Sequence, residues 1–68
     1  MDYELILGLR LEKGLAKDKF FKRYNTTIDK VYNYKELLNN NILIENSKYL
    51  YVNKKYRYVL NEILSEIL

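Results

Sequence analysis

Apolar positions along this chain repeat first at a helical period and then, briefly, at a period of two. Leu5, Ile6 and Leu9 stand at i, i+1, i+4, the spacing of one helix face. They predict a first helix from about Asp2 to Leu11, with Asp2 as its N-cap and Gly14 as a stop beyond it. Phe20, Phe21 and Tyr24 repeat that spacing and predict a second helix from about Ala16, closed by Asn25 in the left-handed conformation. Ile28, Val31, Tyr34, Leu37 and Leu38 predict one continuous third helix, about Thr27 to Asn40. Thr26 and Asp29 have capping-box spacing at its start.

The period then changes. Ile42 to Glu45 and Lys48 to Val52 read as two strands of a hairpin turned at Asn46 and Ser47. Leu50 and Val52 share one face, Tyr49 and Tyr51 the other. Asn53 is placed to cap a last helix, Lys54 to Ile67, with Tyr56, Leu60, Ile63, Leu64 and Ile67 as its apolar stripe. The expected fold is therefore mainly α with a small β-hairpin: a winged-helix-like module of three helices, a hairpin wing and a C-terminal helix.

Composition narrows the chemistry. At 68 residues the chain fits one domain, and one this short buries only about 60% of its unfolded surface. It has no cysteine, histidine, proline or tryptophan. Disulfides and thiolate metal sites are excluded, and so are the commonest zinc ligand and general base. The single seryl hydroxyl that the sequence carries in its last helix, Ser65, and its companion Ser47 in the turn have no base to activate them. Glu62 and Glu66 stand at i, i+4, but hard cations usually need six or more oxygens. No catalytic residue, cofactor site or metal site is expected in this chain. No apolar run approaches the ~20 residues of a membrane span, and a cytoplasmic setting is expected.

The net charge is +3, with acids and bases interleaved. On the expected recognition helix Asp29, Lys30, Lys35 and Glu36 cancel, so DNA is an unfavoured partner. A basic cluster does form at Lys48, Lys54, Lys55 and Arg57. Lys54, Lys55 and Arg57 would gather at a helix N-terminus, where the dipole already favours anions, and they are candidates for docking a carboxylate or phosphate. The stretch "LILGLRLEKG" holds two further candidates. Gly8 interrupts an apolar helix at about 1 kcal/mol against alanine, which suggests close approach of a second helix or of a partner domain outside residues 1–68. Arg10, between Leu9 and Leu11, either finds a carboxylate or carbonyl partner or faces solvent.

The same stretch carries a resemblance. "ELILGLRLEKG" is similar to the opening of the C-terminal domain of oxygen-independent coproporphyrinogen III oxidase-like (HemN-like) radical SAM proteins, with Gly8, Leu9, Arg10, Leu11 and Gly14 matching. The likeness runs on through Phe20, Tyr24, Tyr34, Leu37, Leu38 and "LNEILSEIL", where Asn61 is in register. Asn25 and Asn41 stand where that family often has glycine, Ala16 where it has a Ser/Thr N-cap, Lys54 where it has proline and Tyr56 where it has the next glycine. The resemblance implies that residues 1–68 are an excised C-terminal domain. Its partner would be the N-terminal radical SAM barrel of the same protein, with porphyrin or haem reached through that parent. The parent's 4Fe-4S cluster and S-adenosylmethionine site belong to the barrel, so no catalytic residue transfers to this chain. Such parents act either in oxidative decarboxylation of coproporphyrinogen III or as haem chaperones, and the compact "GLRLxxG" form leans toward the chaperone. The alternatives are a winged-helix DNA-binding regulator and a generic protein-interaction module.

Overall fold

A computed structural model describes residues 2–68. Helix α1 spans Asp2–Arg10, and the chain turns back within four residues into a short strand, β1, at Leu15–Ala16. Helices α2 (Lys17–Tyr24), α3 (Ile28–Val31) and α4 (Lys35–Asn39) follow. The hairpin is β2 (Leu43–Glu45) and β3 (Tyr49–Val52), and a 3-10 helix (Lys54–Val59) leads into α5 (Leu60–Ile67). The winged-helix arrangement holds, with the wing widened into a three-stranded antiparallel sheet of order β1-β3-β2.

The hairpin forms as its turn chemistry dictates. The Asn46 side chain accepts from the backbone N–H groups of Lys48 and Tyr49, both at 2.8 Å. Leu43 then pairs with Val52 and Glu45 with Leu50. Leu50 and Val52 face the core while Tyr49 and Tyr51 stay half-buried. Asn25 and Asn41 both adopt positive φ (55° and 60°), the left-handed role their short amides tolerate. Ala16 is the N-cap of α2 and makes no side-chain cap bond.

Three elements depart from expectation. The third helix is not continuous: it breaks at Tyr32–Tyr34. Tyr32 and Tyr34 are both buried and Asn33 between them is exposed. Extended backbone alternates sides at every residue, whereas a helix would turn positions 32 and 34 about 200° apart. Burying both tyrosines therefore requires the break, and Val31 turns partly outward instead. Its N-cap is Thr27 rather than Thr26, and the Thr27 side chain beside Asp29 holds that carboxyl below its ordinary range.

The final helix starts as a 3-10 helix. The Asn53 side chain accepts from the Lys55 N–H at 3.2 Å, so the cap is where it was expected, but the first six residues are wound more tightly. Asp2 is the third departure. It lies inside α1, and its carboxylate accepts from the Tyr32 hydroxyl at 2.6 Å, tying the helix start to the break.

One apolar cluster joins these elements. Leu5, Leu9, Phe20, Leu43, Leu50 and Val52 are its most completely buried members, with Ile28, Tyr34, Leu37, Ile63, Leu64 and Ile67 around them. Phe20 meets Tyr24 at 4.8 Å between ring centroids, tilted 53°, a favoured aromatic geometry. Phe21, expected inside, is half-exposed.

Candidate functional site

The motif around Gly8 is built by the strand that the sequence concealed. A Cβ on Gly8 would stand 2.7 Å from the Leu15 Cβ and 2.9 Å from its Cα. The close approach expected at Gly8 is real, but it is made by the strand β1 of this chain, not by a second helix or a partner domain. Gly14 has φ +95°, and a Cβ there would strike the Leu50 carbonyl oxygen and come within 2.6 Å of the Tyr51 Cβ. One glycine lets α1 lie on β1, and the other lets the chain enter β1 against β3. Leu15 pairs with Leu50, and the Lys17 N–H donates to the Lys48 carbonyl at 2.9 Å just beyond the strand.

Arg10 is exposed, and its guanidinium makes no hydrogen bond or ion pair among the described residues. No carboxylate or carbonyl partner for it lies among the described residues. Its backbone is what is used: Arg57 donates to the Arg10 carbonyl at 2.6 Å and, at a longer 3.4 Å, to the Leu11 carbonyl. The Arg10 carbonyl is an open acceptor at the C-terminal end of α1, where a cation is favoured, while the Leu11 carbonyl also accepts from the Gly14 N–H at 3.1 Å.

Lys54, three residues before Arg57, reaches Glu12 at 4.0 Å. Side chains at i and i+3 eclipse in a 3-10 helix, so the tight winding aligns both cations on the end of α1. The expected cluster is thus divided. Arg57 is engaged with carbonyls and Lys54 leans to an acid, while Lys55 is exposed on the 3-10 helix. Lys48 lies on the wing next to Lys17, which pairs with Glu45 at 3.0 Å. Arg57→Ala is expected to cost about 1 kcal/mol by leaving the α1 carbonyls to water. Thermal melts of Arg57→Ala and Arg57→Lys check this; an unchanged midpoint for Arg57→Ala would remove the capping role.

Two surfaces remain after this accounting. The first is the outer side of α1. Tyr3 (72 % exposed) and Leu7 (44 %) on the helix, and Leu11 (53 %) just past its end, follow each other at i+4 spacing and form an apolar stripe opposite the buried Leu5, Gly8 and Leu9. Arg10 stands beside them. The stripe was legible as leucines in the motif, but an even spread of apolar residues around α1 hides which ones face out.

The second surface is a cleft of about 550 Å³ at the α3–α4 break. It is lined by Lys17, Asp29, Tyr32, Tyr34, Lys35 and Glu45, with Ile28 and Leu38 among its apolar walls. Tyr34 is 5 % exposed. Burial first, then the charges of Glu45 and Asp29, push its phenol above its ordinary range, and burial followed by the Asp2 hydrogen bond does the same to Tyr32. Both phenols are neutral donors at physiological pH. The cleft exists because the helix breaks, which the periodicity of the third segment did not reveal. No group of three or more metal-ligating side chains occurs among the described residues, and no helix there is long and apolar enough to cross a membrane. Searches against family models, curated proteins and solved structures find no match to this chain.

Proposed function

We propose that this chain is a docking module: the C-terminal accessory domain of an oxygen-independent coproporphyrinogen III oxidase-like protein, seated on its radical SAM barrel through the outer side of α1. The carrying observation is the Tyr3–Leu7–Leu11 stripe. Two large apolar side chains one turn apart on a helix, with a third just past its end, are more than the singly scattered residues of an ordinary surface. Both glycines of "GLRLEKG", the stretch that carries the resemblance, serve close packing of α1 and β1 on the sheet. The parent's cluster and S-adenosylmethionine would supply the chemistry, and haem or porphyrin would meet this domain only as part of the covered site. Cytoplasmic location follows from the same reading.

The test is association of the 68-residue chain with such a barrel produced without its own C-terminal domain. The triple variant Tyr3→Ser, Leu7→Ser, Leu11→Ser removes side chains that are 72 %, 44 % and 53 % exposed, and a thermal melt checks that it still folds. It is expected to weaken association at least tenfold, since burying one large apolar side chain is worth about 1.5–3 kcal/mol and 1.4 kcal/mol is tenfold. Equal binding by the variant, or no binding by the unaltered chain, overturns the reading. Stripe-dependent self-association without barrel binding would replace the barrel by a second copy.

A further inference from the structure

The α3–α4 cleft is a second surface, sharing no residue with the α1 stripe, and it stands whether or not the docking reading does. Its size is within the range of small-molecule sites, about 300–1,000 Å³, which combine apolar walls with a few placed polar groups.

Its polar groups fall into spent and unspent ones. Lys17 and Glu45 are paired at 3.0 Å. The Tyr32 hydroxyl is held by Asp2. Asp29 and Lys35 have no ion-pair partner among the described residues. They stand on either side of the break, on α3 and at the start of α4. The Tyr34 ring is buried, but its hydroxyl, which makes no hydrogen bond among the described residues, reaches solvent. The cleft therefore offers one carboxylate and one ammonium without ion-pair partners, and one phenol open to solvent, with Ile28 and Leu38 as apolar walls. A cation alone would leave Lys35 unused, and an anion alone would leave Asp29 unused. A zwitterion with an apolar body uses all of them.

The geometry points to this cleft as a binding site for a free α-amino acid with a large apolar side chain. Asp29 would take its ammonium, Lys35 its carboxylate, and the Tyr34 hydroxyl would add a hydrogen bond. Asp29 is suited to the part: the Thr27 side chain favours its ionised form. The apolar side chain of the ligand would lie against Ile28 and Leu38.

The experiment is a titration of the isotope-labelled 68-residue chain, followed by backbone amide NMR, with three probes. These are phenylalanine, its methyl ester (cation only) and N-acetylphenylalanine (anion only). Phenylalanine is expected to shift amides around residues 28–35 saturably, with Kd near or below about 1 mM. Each capped probe is expected to bind at least tenfold more weakly. Asp29→Asn and Lys35→Gln, both at exposed side chains and so harmless to the fold, are each expected to weaken phenylalanine about tenfold. They should leave the capped probe that lacks the matching charge unaffected. No saturable shift by phenylalanine up to about 10 mM overturns the assignment. So does equal binding of the three probes, or phenylalanine binding that both substitutions leave unchanged.

Discussion

Gly14→Ala is expected to destabilise the domain by about 2–4 kcal/mol, combining a left-handed backbone penalty of about 1–3 kcal/mol with overpacking of about 1–3 kcal/mol. Gly14 sits at φ +95°, where an L side chain is strained before any contact is considered. Its Cβ would then meet the Leu50 carbonyl oxygen, with the Leu50 carbonyl carbon at 2.8 Å. Both are backbone atoms of β3, which cannot swing aside without opening the β1–β3 pairing. A chain of 68 residues has about 3–10 kcal/mol of total stability at ordinary per-residue values, so the loss is a large share of it. At about 4–8 °C per kcal/mol, the thermal midpoint is expected to fall by roughly 10–30 °C. A midpoint within a few degrees of the unaltered chain would mean that β1 does not lie where it is described.

Gly8→Leu is the second large effect, about 3 kcal/mol, at the upper end of overpacking costs. The helix itself gains from losing glycine, by up to about 1 kcal/mol, so the clash must exceed that gain. It does so because the obstacle includes backbone: the Leu15 Cα would stand 2.9 Å from the new Cβ, behind the Leu15 Cβ and Cδ1 at 2.7 Å. Leu15→Ala in the same chain removes part of the obstacle and leaves the rest. Partial rescue is expected, visible in denaturant unfolding as a coupling within the range of about 0.5–3 kcal/mol for contacting residues. Strict additivity of the two substitutions would sink the contact. Gly8→Leu also leaves Tyr3, Leu7 and Leu11 untouched, so it separates loss of fold from loss of the proposed docking surface.

These two glycines show why part of the structure was readable in the chain and part was not. Gly8 announced a close approach, since a helix interior tolerates glycine only at a cost. What approaches is β1, a strand of two residues that leaves no period to detect. Leu15, Tyr32 and Leu43 are core residues that no stripe singled out. Leu15 and Leu43 lie in strands too short to alternate, and Tyr32 lies on the extended segment between two helices. The cleft depends on that same segment, so it was hidden with it. Asp29 and Lys35 could be seen only as cancelling charges. Their placement across a cavity needed the break.

Arg57 marks the same boundary. Basic residues at a helix start pointed to an outside anion, because along the chain their nearest acids are not near. In the fold the partner is the end of α1, 47 positions earlier for the stronger contact.

The α-rich class, the hairpin, its Asn46 turn, the Asn53 cap and the left-handed Asn25 all followed from local rules, since each is set by the dihedral preferences and hydrogen-bonding reach of a few neighbouring residues. The third strand, the broken helix, the tethered arginine and the cleft did not. Each depends on contacts between segments far apart in the chain, and their energy exists only once α1, β1 and β3 have closed on one another.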